Sequence, residues 1–244
     1  MACCPADRAG HQAERKLGLV PPDERWLAAI WPVVRGQLPA GPGRVTELGC
    51  GPLGGFVPQL RAAGYQAAGV DPAAPDGPWY HQVEFERWDP PGPSDAMLAC
   101  TSLHHVTDLD EALERIRAAL APGGTLVVVE WARERFDEAT ARWCWARLPD
   151  RGEPSWLHEL CTQWRDSGQP WDACCQSWAA AERLHTGQDI VQALSRRFEA
   201  TRPVRYGPYF FPDLAGTTEQ DEQAAIDRGE IQPGRILYTG RRPA

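Results

Sequence analysis

No apolar stretch in this 244-residue chain approaches the ~20 residues that carry a helix across a bilayer, so a membrane-spanning helix is excluded. The first residues hold Asp7, Arg8, Glu14, Arg15 and Lys16 where a secretory leader needs its apolar region, and the expected location is the cytoplasm. Eight cysteines are present, yet no two stand in a C-x-x-C pair: Cys3-Cys4 and Cys174-Cys175 are adjacent and the rest are scattered. That pattern builds no zinc site; reduced thiols and no bound metal are expected. Positive charge is also short, with 25 Lys and Arg against 33 Asp and Glu, a net charge of -8. Such a surface repels a polyanion, so a small molecule is the expected partner rather than nucleic acid, and nothing in the pattern assigns an oligomeric state. The absence of an internal repeat or low-complexity tract excludes a repeat array.

What is present is ordinary globular usage, 43% hydrophobic and 24% charged. A chain of this length holds one large α/β domain with room for an inserted subdomain. Tryptophan is unusual: there are eleven, and seven of them (Trp131, Trp143, Trp145, Trp156, Trp164, Trp171 and Trp178) fall in one stretch of the second half.

The segment Val45-Thr46-Glu47-Leu48-Gly49-Cys50-Gly51-Pro52-Leu53-Gly54-Gly55 is an apolar run that ends in an acid and breaks into glycines before a helical pattern. Glycines let a backbone approach a ligand closely, so the segment reads as a strand-to-helix turn around a cofactor. The spacing Gly49-x-Gly51-x-x-Gly54, with Asp71 further on, matches the dinucleotide fingerprint, in which an acid grips a ribose. By itself this spacing leaves two cofactor families open.

Residues 1–20 lack periodicity and read as a loose arm. Pro21-Pro22-Asp23 opens a helix in which Trp26, Leu27, Ile30, Trp31 and Val34 recur at helical spacing. Strands are expected at 44–48, 66–70, 81–88, 96–101 and 125–130, with helices at 56–63 and 108–120 between them. This alternation implies a parallel sheet with crossovers, covered on both faces. Beyond Trp131 the pattern turns helical, over residues 133–147, 155–166, 171–182 and 187–195. Strands at 198–211 and 236–241, separated by a helix at 218–227, then complete a mixed sheet.

Four segments carry a resemblance. Glu47-Leu48-Gly49-Cys50-Gly51, Gly69-Val70-Asp71-Pro72, Ser102-Leu103-His104-His105-Val106 and Leu120-Ala121-Pro122-Gly123-Gly124 are similar, in order and spacing, to the motifs of class I S-adenosylmethionine-dependent methyltransferases. The likeness spans about residues 40–132 and, less closely, the final strands. It implies a Rossmann-like α/β fold: a seven-stranded mixed sheet, mostly parallel with an antiparallel last strand, helices on both faces, and a helical insertion as substrate lid. The implied organisation is an arm at 1–20, a cofactor-binding core at 21–132, the lid at 133–196 and the final strands at 197–244. The implied cofactor is S-adenosylmethionine, with S-adenosylhomocysteine as product.

That ligand carries an ammonium, a carboxylate, a ribose diol and an adenine. Gly49 and Gly51 would allow backbone contact, Glu47 would accept from the ammonium, and Asp71 would accept from both ribose hydroxyls. The plainer readings are that Glu47 caps the turn after it and that Asp71 only opens the turn at Pro72. The resemblance puts the adenine near Glu84, Phe85 or Glu86, where this sequence departs from the usual Asp-Ala pair; a solvated Glu84 and a core Phe85 compete. Thr101, ending the fourth strand, joins the cofactor contacts. His104 and Glu130 fall at neighbouring strand ends, where a carboxylate can orient an imidazole as general base. The plainer reading of His104 is a helix cap or packing under the cofactor, since methyl transfer by in-line displacement can proceed on alignment alone.

His105, Trp131, Tyr206 and Tyr209 are the candidate substrate contacts, within a chamber that would also draw on His158, His185 and the other clustered tryptophans. Tryptophans at helical spacing are more often core than ligand contacts, yet an aromatic lid suits an apolar or aromatic acceptor. The expected reaction is methyl transfer to oxygen or nitrogen of a small metabolite. Its rivals are a nicotinamide-dependent oxidoreductase and a protein of this fold that binds partners without methylating.

Overall fold

The computed structural model describes residues 20–149 and 155–243. The arm expected at 1–20 therefore lies outside the described residues except for its last position.

Helix α1 (Pro22–Arg35) begins with a proline, whose fixed φ suits the first helical turn, and buries Trp26, Ile30 and Val34 at a spacing of four. Strand β1 (Arg44–Leu48), helix α2 (Val57–Ala62), strand β2 (Gln66–Val70), the short β3 (Tyr80–His81) and β4 (Ser94–Cys100) follow. Helix α3 (Leu109–Ala119) starts at Asp108, whose carboxylate accepts the Glu111 N–H, and leads into β5 (Leu120–Trp131). Helices α4 (Glu138–Trp145), α5 (Trp156–Ser167), α6 (Trp171–Ala181) and α7 (Gly187–Arg197) come next. They are followed by β6 (Glu199–Ala200), β7 (Arg205–Gly207), α8 (Glu219–Asp227) and β8 (Arg235–Arg241).

The strands form one mixed sheet in the order β3-β2-β1-β4-β5-β8-β6, with β7 also on β8. Strands β1 to β5 pair in parallel, and β8 runs antiparallel to β5, β6 and β7. The central strands are apolar on both faces and alternate between two cores. Met97, Ala99, Leu126 and Val128 face α3 and α7, while Ala96, Leu98, Val127 and Val129 face α1 and α2. Each fully buried side chain of the Leu or Ile kind contributes about 1.5–3 kcal/mol, so this layered burial dominates the fold's stability.

Three expected elements come out differently. The strand read at 81–88 is only Tyr80–His81, followed by a single 3-10 turn at Phe85–Arg87. Its neighbour β2 ends at Val70, so beyond the pairs Gly69–Tyr80 and Val70–His81 there is no backbone left to pair with. Val83 and Phe85 then pack on the core from a loop, which satisfies the same alternation. The strand read at 198–211 is broken into β6 and β7. Ala200 pairs with Gly240 and Arg205 with Leu237, so four residues (201–204), including Pro203 with no N–H, stand opposite two (238–239). This break gives the sheet eight strands rather than seven. The helix read at 133–147 opens as a 3-10 turn, Arg133–Arg135, and becomes α-helical only after Asp137, whose carboxylate accepts the Thr140 N–H at 2.8 Å.

Helices α4 to α6 build a third core over the end of β5. The clustered tryptophans pack on one another there: Trp145 stacks on Trp164 at 5.0 Å, and Trp131 meets Trp156 edge-on at 5.1 Å. The aromatic rings thus make a hydrophobic centre for a segment that has no sheet of its own.

From α8, the buried Glu222 carboxylate accepts the N–H groups of Phe210 and Phe211 at 2.8 and 2.6 Å, holding a turn in which Phe210 has φ 59°. Burial pushes its pKa up to about 7, against the lowering effect of those two bonds. A raised carboxyl pKa means that the folded state holds the proton more tightly, so this contribution to stability is full below pH ~4.5 and is lost as pH rises towards ~7. Over that window the loss runs at about 1.4 kcal/mol for each pH unit, a few kcal/mol in all. Glu222→Gln is expected to flatten the fall, measured by urea denaturation of both proteins at pH 5 and pH 8. An equal loss in the two proteins would count against it.

Candidate active site

The ends of β1, β2, β4 and β5 meet at one edge of the sheet, and the sequence turns sharply at each of them. After β1, Gly49 adopts φ 72° and donates its N–H to Val70 O at 2.9 Å. A Cβ at this position would stand 2.4 Å from Ser102 Cβ, so only glycine lets the first turn lie against the turn after β4. Gly51, at φ 62°, has nothing within 4 Å of where a Cβ would be: one side of the turn is open.

Asp71 at the end of β2 spans that opening. Its Oδ2 accepts the Gly51 N–H at 3.0 Å and its Oδ1 accepts the Ala73 N–H at 2.7 Å. A carboxylate has about four acceptor directions, two on each oxygen, and each of these oxygens accepts one backbone N–H. Glu47 is held by the turn that follows it: its Oε2 accepts the Phe56 N–H at 2.7 Å, which ties β1 to the start of α2. Burial pushes its pKa up to about 8 despite the bonds from Phe56 and Val57.

Thr101 has φ 49°, an uncommon conformation for a β-branched residue, and its hydroxyl donates to Cys100 O at 2.8 Å. Such strain persists where neighbours over-determine the backbone, here the Thr101 N–H bonded to Val129 O at 2.7 Å. Beyond it, the Ser102 hydroxyl is buried beside Gly49 and has no hydrogen-bond partner. A buried hydroxyl without a partner is costly, and its place under the glycine turn suits a polar ligand. Ser102 was not among the residues expected from the sequence; its one signal there is its position just before Leu103-His104-His105.

His104 and Glu130 are brought together. His104 Nδ1 lies 2.6 Å from Glu130 Oε2, and Glu130 is completely buried. The same carboxylate accepts the N–H groups of Ser102 (2.8 Å), Leu103 (2.6 Å) and Trp131 (3.1 Å). Burial opposes its ionisation, but the attraction of His104 and these bonds outweigh it, and its pKa lies below the ordinary carboxylate value. An acceptor-only Glu130 puts the proton on Nδ1, leaving Nε2 as the imidazole's free acceptor in the neutral ring.

The other candidates spread along this edge. His105 is exposed, its ring 4.2 Å from that of His104. Trp131 is buried next to Glu130, with its indole N–H lacking a partner, and Tyr209 packs 5.8 Å from it. Tyr206 is 39% exposed on β7 at the far margin of the sheet, under the Arg135 guanidinium at 3.9 Å, so it does not join them. Glu84 is exposed; Phe85 is half-buried against Trp88 at 6.2 Å, with the Arg115 guanidinium 5.8 Å from its ring centre. His158 completes the cap of α5 with Ser155. Among the described residues, no group of three or more His, Cys, Asp or Glu is placed to hold a metal, and no helix is long and apolar enough to cross a membrane.

A parallel sheet whose glycine turn, acidic strand end and imidazole–carboxylate pair share one edge defines a cofactor-dependent enzyme of the Rossmann-like class. A family model described as a methyltransferase domain matches residues 19–169, and the chain belongs to that family. An uncharacterized methyltransferase of Mycobacterium tuberculosis is 25% identical over 158 residues, 58% of this chain and 80% of its own length. The solved S-adenosylmethionine-dependent methyltransferase of Mesorhizobium loti is 22% identical, covers 88% of this chain and 98% of its own, and superimposes with a TM-score of 0.53. The N-methyltransferase NodS of Bradyrhizobium japonicum, solved with S-adenosylhomocysteine, is 16% identical, covers 91% and 88%, and has a TM-score of 0.51.

Proposed function

We propose that this methyltransferase moves the methyl group of S-adenosylmethionine to an oxygen or nitrogen of a small metabolite of apolar or aromatic character, with His104 as general base. The observation that carries the reading is the buried 2.6 Å contact of His104 with Glu130, one turn away from the Gly49–Ser102 contact. Gly49 and Gly51 admit the cofactor, Asp71 offers its two spare acceptor directions to the ribose, and the unpartnered Ser102 hydroxyl faces the amino acid end. When bound, S-adenosylmethionine supplies a methyl carbon on a sulfonium, a leaving group that needs no further activation, and becomes S-adenosylhomocysteine. His104 Nε2 takes the acceptor's proton, and the charge that forms on the ring is stabilised by Glu130. Trp131 and Tyr209 form the wall beside the base, and residues 133–196 act as the lid that excludes water.

Isothermal titration with S-adenosylmethionine, S-adenosylhomocysteine and NAD is expected to give binding of both sulfur ligands and none of NAD; preferential NAD binding would sink the proposal. Methyl transfer is then assayed against panels of phenols and amines. On the acceptor that turns over, His104→Ala is expected to lower kcat by about 10²–10⁴ and to abolish the base limb of its pH profile. An unchanged profile leaves His104 a positioning role only.

A further inference from the structure

The turn that carries His104 is gripped from outside the sheet. At the base of the lid, the His185 N–H donates to His104 O at 3.0 Å, and its ring Nε2 lies 2.9 Å from Val106 O. A carbonyl can only accept, so His185 Nε2 carries a proton and donates. One residue therefore holds both ends of the segment from His104 to Val106, while Glu130 holds the two residues before it through the Ser102 and Leu103 N–H groups.

His185 is itself anchored to the end of β5. Arg133 Nε donates to His185 O at 3.2 Å, and the Glu134 carboxylate accepts the N–H groups of Gly187 and Gln188 at 2.9 and 3.0 Å. A Cβ at Gly187 would stand 2.8 Å from Ala132 Cα, so the start of α7 lies directly on the residue that follows the strand bearing Glu130. Strand end, lid base and His104 turn form a closed ring of hydrogen bonds, one of them between backbones and the others made by the side chains of Glu130, Arg133, Glu134 and His185.

We propose that His185 is a positioning residue that keeps the His104 imidazole in register with Glu130 and couples that register to the base of the lid. The inference rests on the reading of His104 as the base, and its test needs no methyl acceptor. In the full chain, the proton in the His104 Nδ1–Glu130 bond is followed by its downfield proton NMR signal, assigned by its loss in His104→Ala. His185→Leu keeps the bulk of the ring and removes the donor; the signal is expected to broaden or vanish as the loosened turn admits exchange with water. His185→Gln sets an amide donor near the position of Nε2 and is expected to restore it. Affinity for S-adenosylhomocysteine, titrated calorimetrically, is expected to stay within about twofold in both variants.

A parental signal in His185→Leu overturns the proposal, as does equal loss in His185→Leu and His185→Gln. Absence of the signal in the parent protein overturns both the register and the base. Failure of the parent to bind S-adenosylhomocysteine removes the cofactor reading, while the comparison of signals still decides the role of His185.

Discussion

Glu130→Gln is expected to lower kcat by roughly 10²–10⁴ and to cost about 2–5 kcal/mol of stability. The native carboxylate accepts four N–H groups, two on each oxygen. A glutamine of the same shape replaces one oxygen with an NH2. If the NH2 faces Ser102 and Leu103, two backbone donors confront a donor and are left unsatisfied. If it faces His104, the Trp131 N–H loses its acceptor and the imidazole must turn its Nδ1 lone pair towards the amide, which moves the proton to Nε2 and removes the proposed base. Either arrangement fails, one through folding and the other through the tautomer. Urea denaturation and kcat at saturating substrates separate the two. Unchanged kcat in a stably folded variant would mean that the carboxylate does not orient the base.

Gly49→Ala is the second large effect, expected to destabilise by about 2–5 kcal/mol: ~1–2 from a Cβ at left-handed φ and ~1–3 from displaced neighbours. The added carbon would fall 2.4 Å from Ser102 Cβ, so the glycine turn and the turn after β4 cannot both keep their places. Since those two turns bound the proposed cofactor site, affinity for S-adenosylhomocysteine is expected to fall by more than about tenfold. Gly51→Ala serves as the comparison, because nothing lies within 4 Å of its Cβ and only the conformational cost of ~1–2 kcal/mol applies. Equal thermal stability of the two variants would show that Ser102 yields at little cost.

The strands at the centre of the sheet were legible because both faces of β4 and β5 are buried, which turns their sequences into continuous apolar runs with sharp ends. The edges were not. At 81–88 an alternating pattern looked like a strand, but pairing needs a partner backbone, and β2 stops two residues into the ladder. At 198–211 the sequence shows a long β-like stretch, and only the two-for-four mismatch against β8 reveals the break. Glu47, Asp71 and His104 were candidates because each falls at or just beyond the end of a strand, along one predictable edge. The roles of Ser102, His185 and Glu222 could not, because their partners Gly49, His104 and Phe211 stand 53, 81 and 11 positions away along the chain, at distances only folding closes.

By itself, the sequence determined the parallel core, the glycine turn, and the types of residue at each strand end, since these follow from local periodicity and from what glycine alone can do with its backbone. Only the tertiary structure decided which oxygens and nitrogens face one another. It turned Glu47 onto the start of α2, gave Glu130 four donors, packed the tryptophans into a core over β5, and set His185 against the His104 turn. Hydrogen bonds act over about 3 Å and depend on angle, so a pattern of residue types can bring candidates to one edge without choosing their partners.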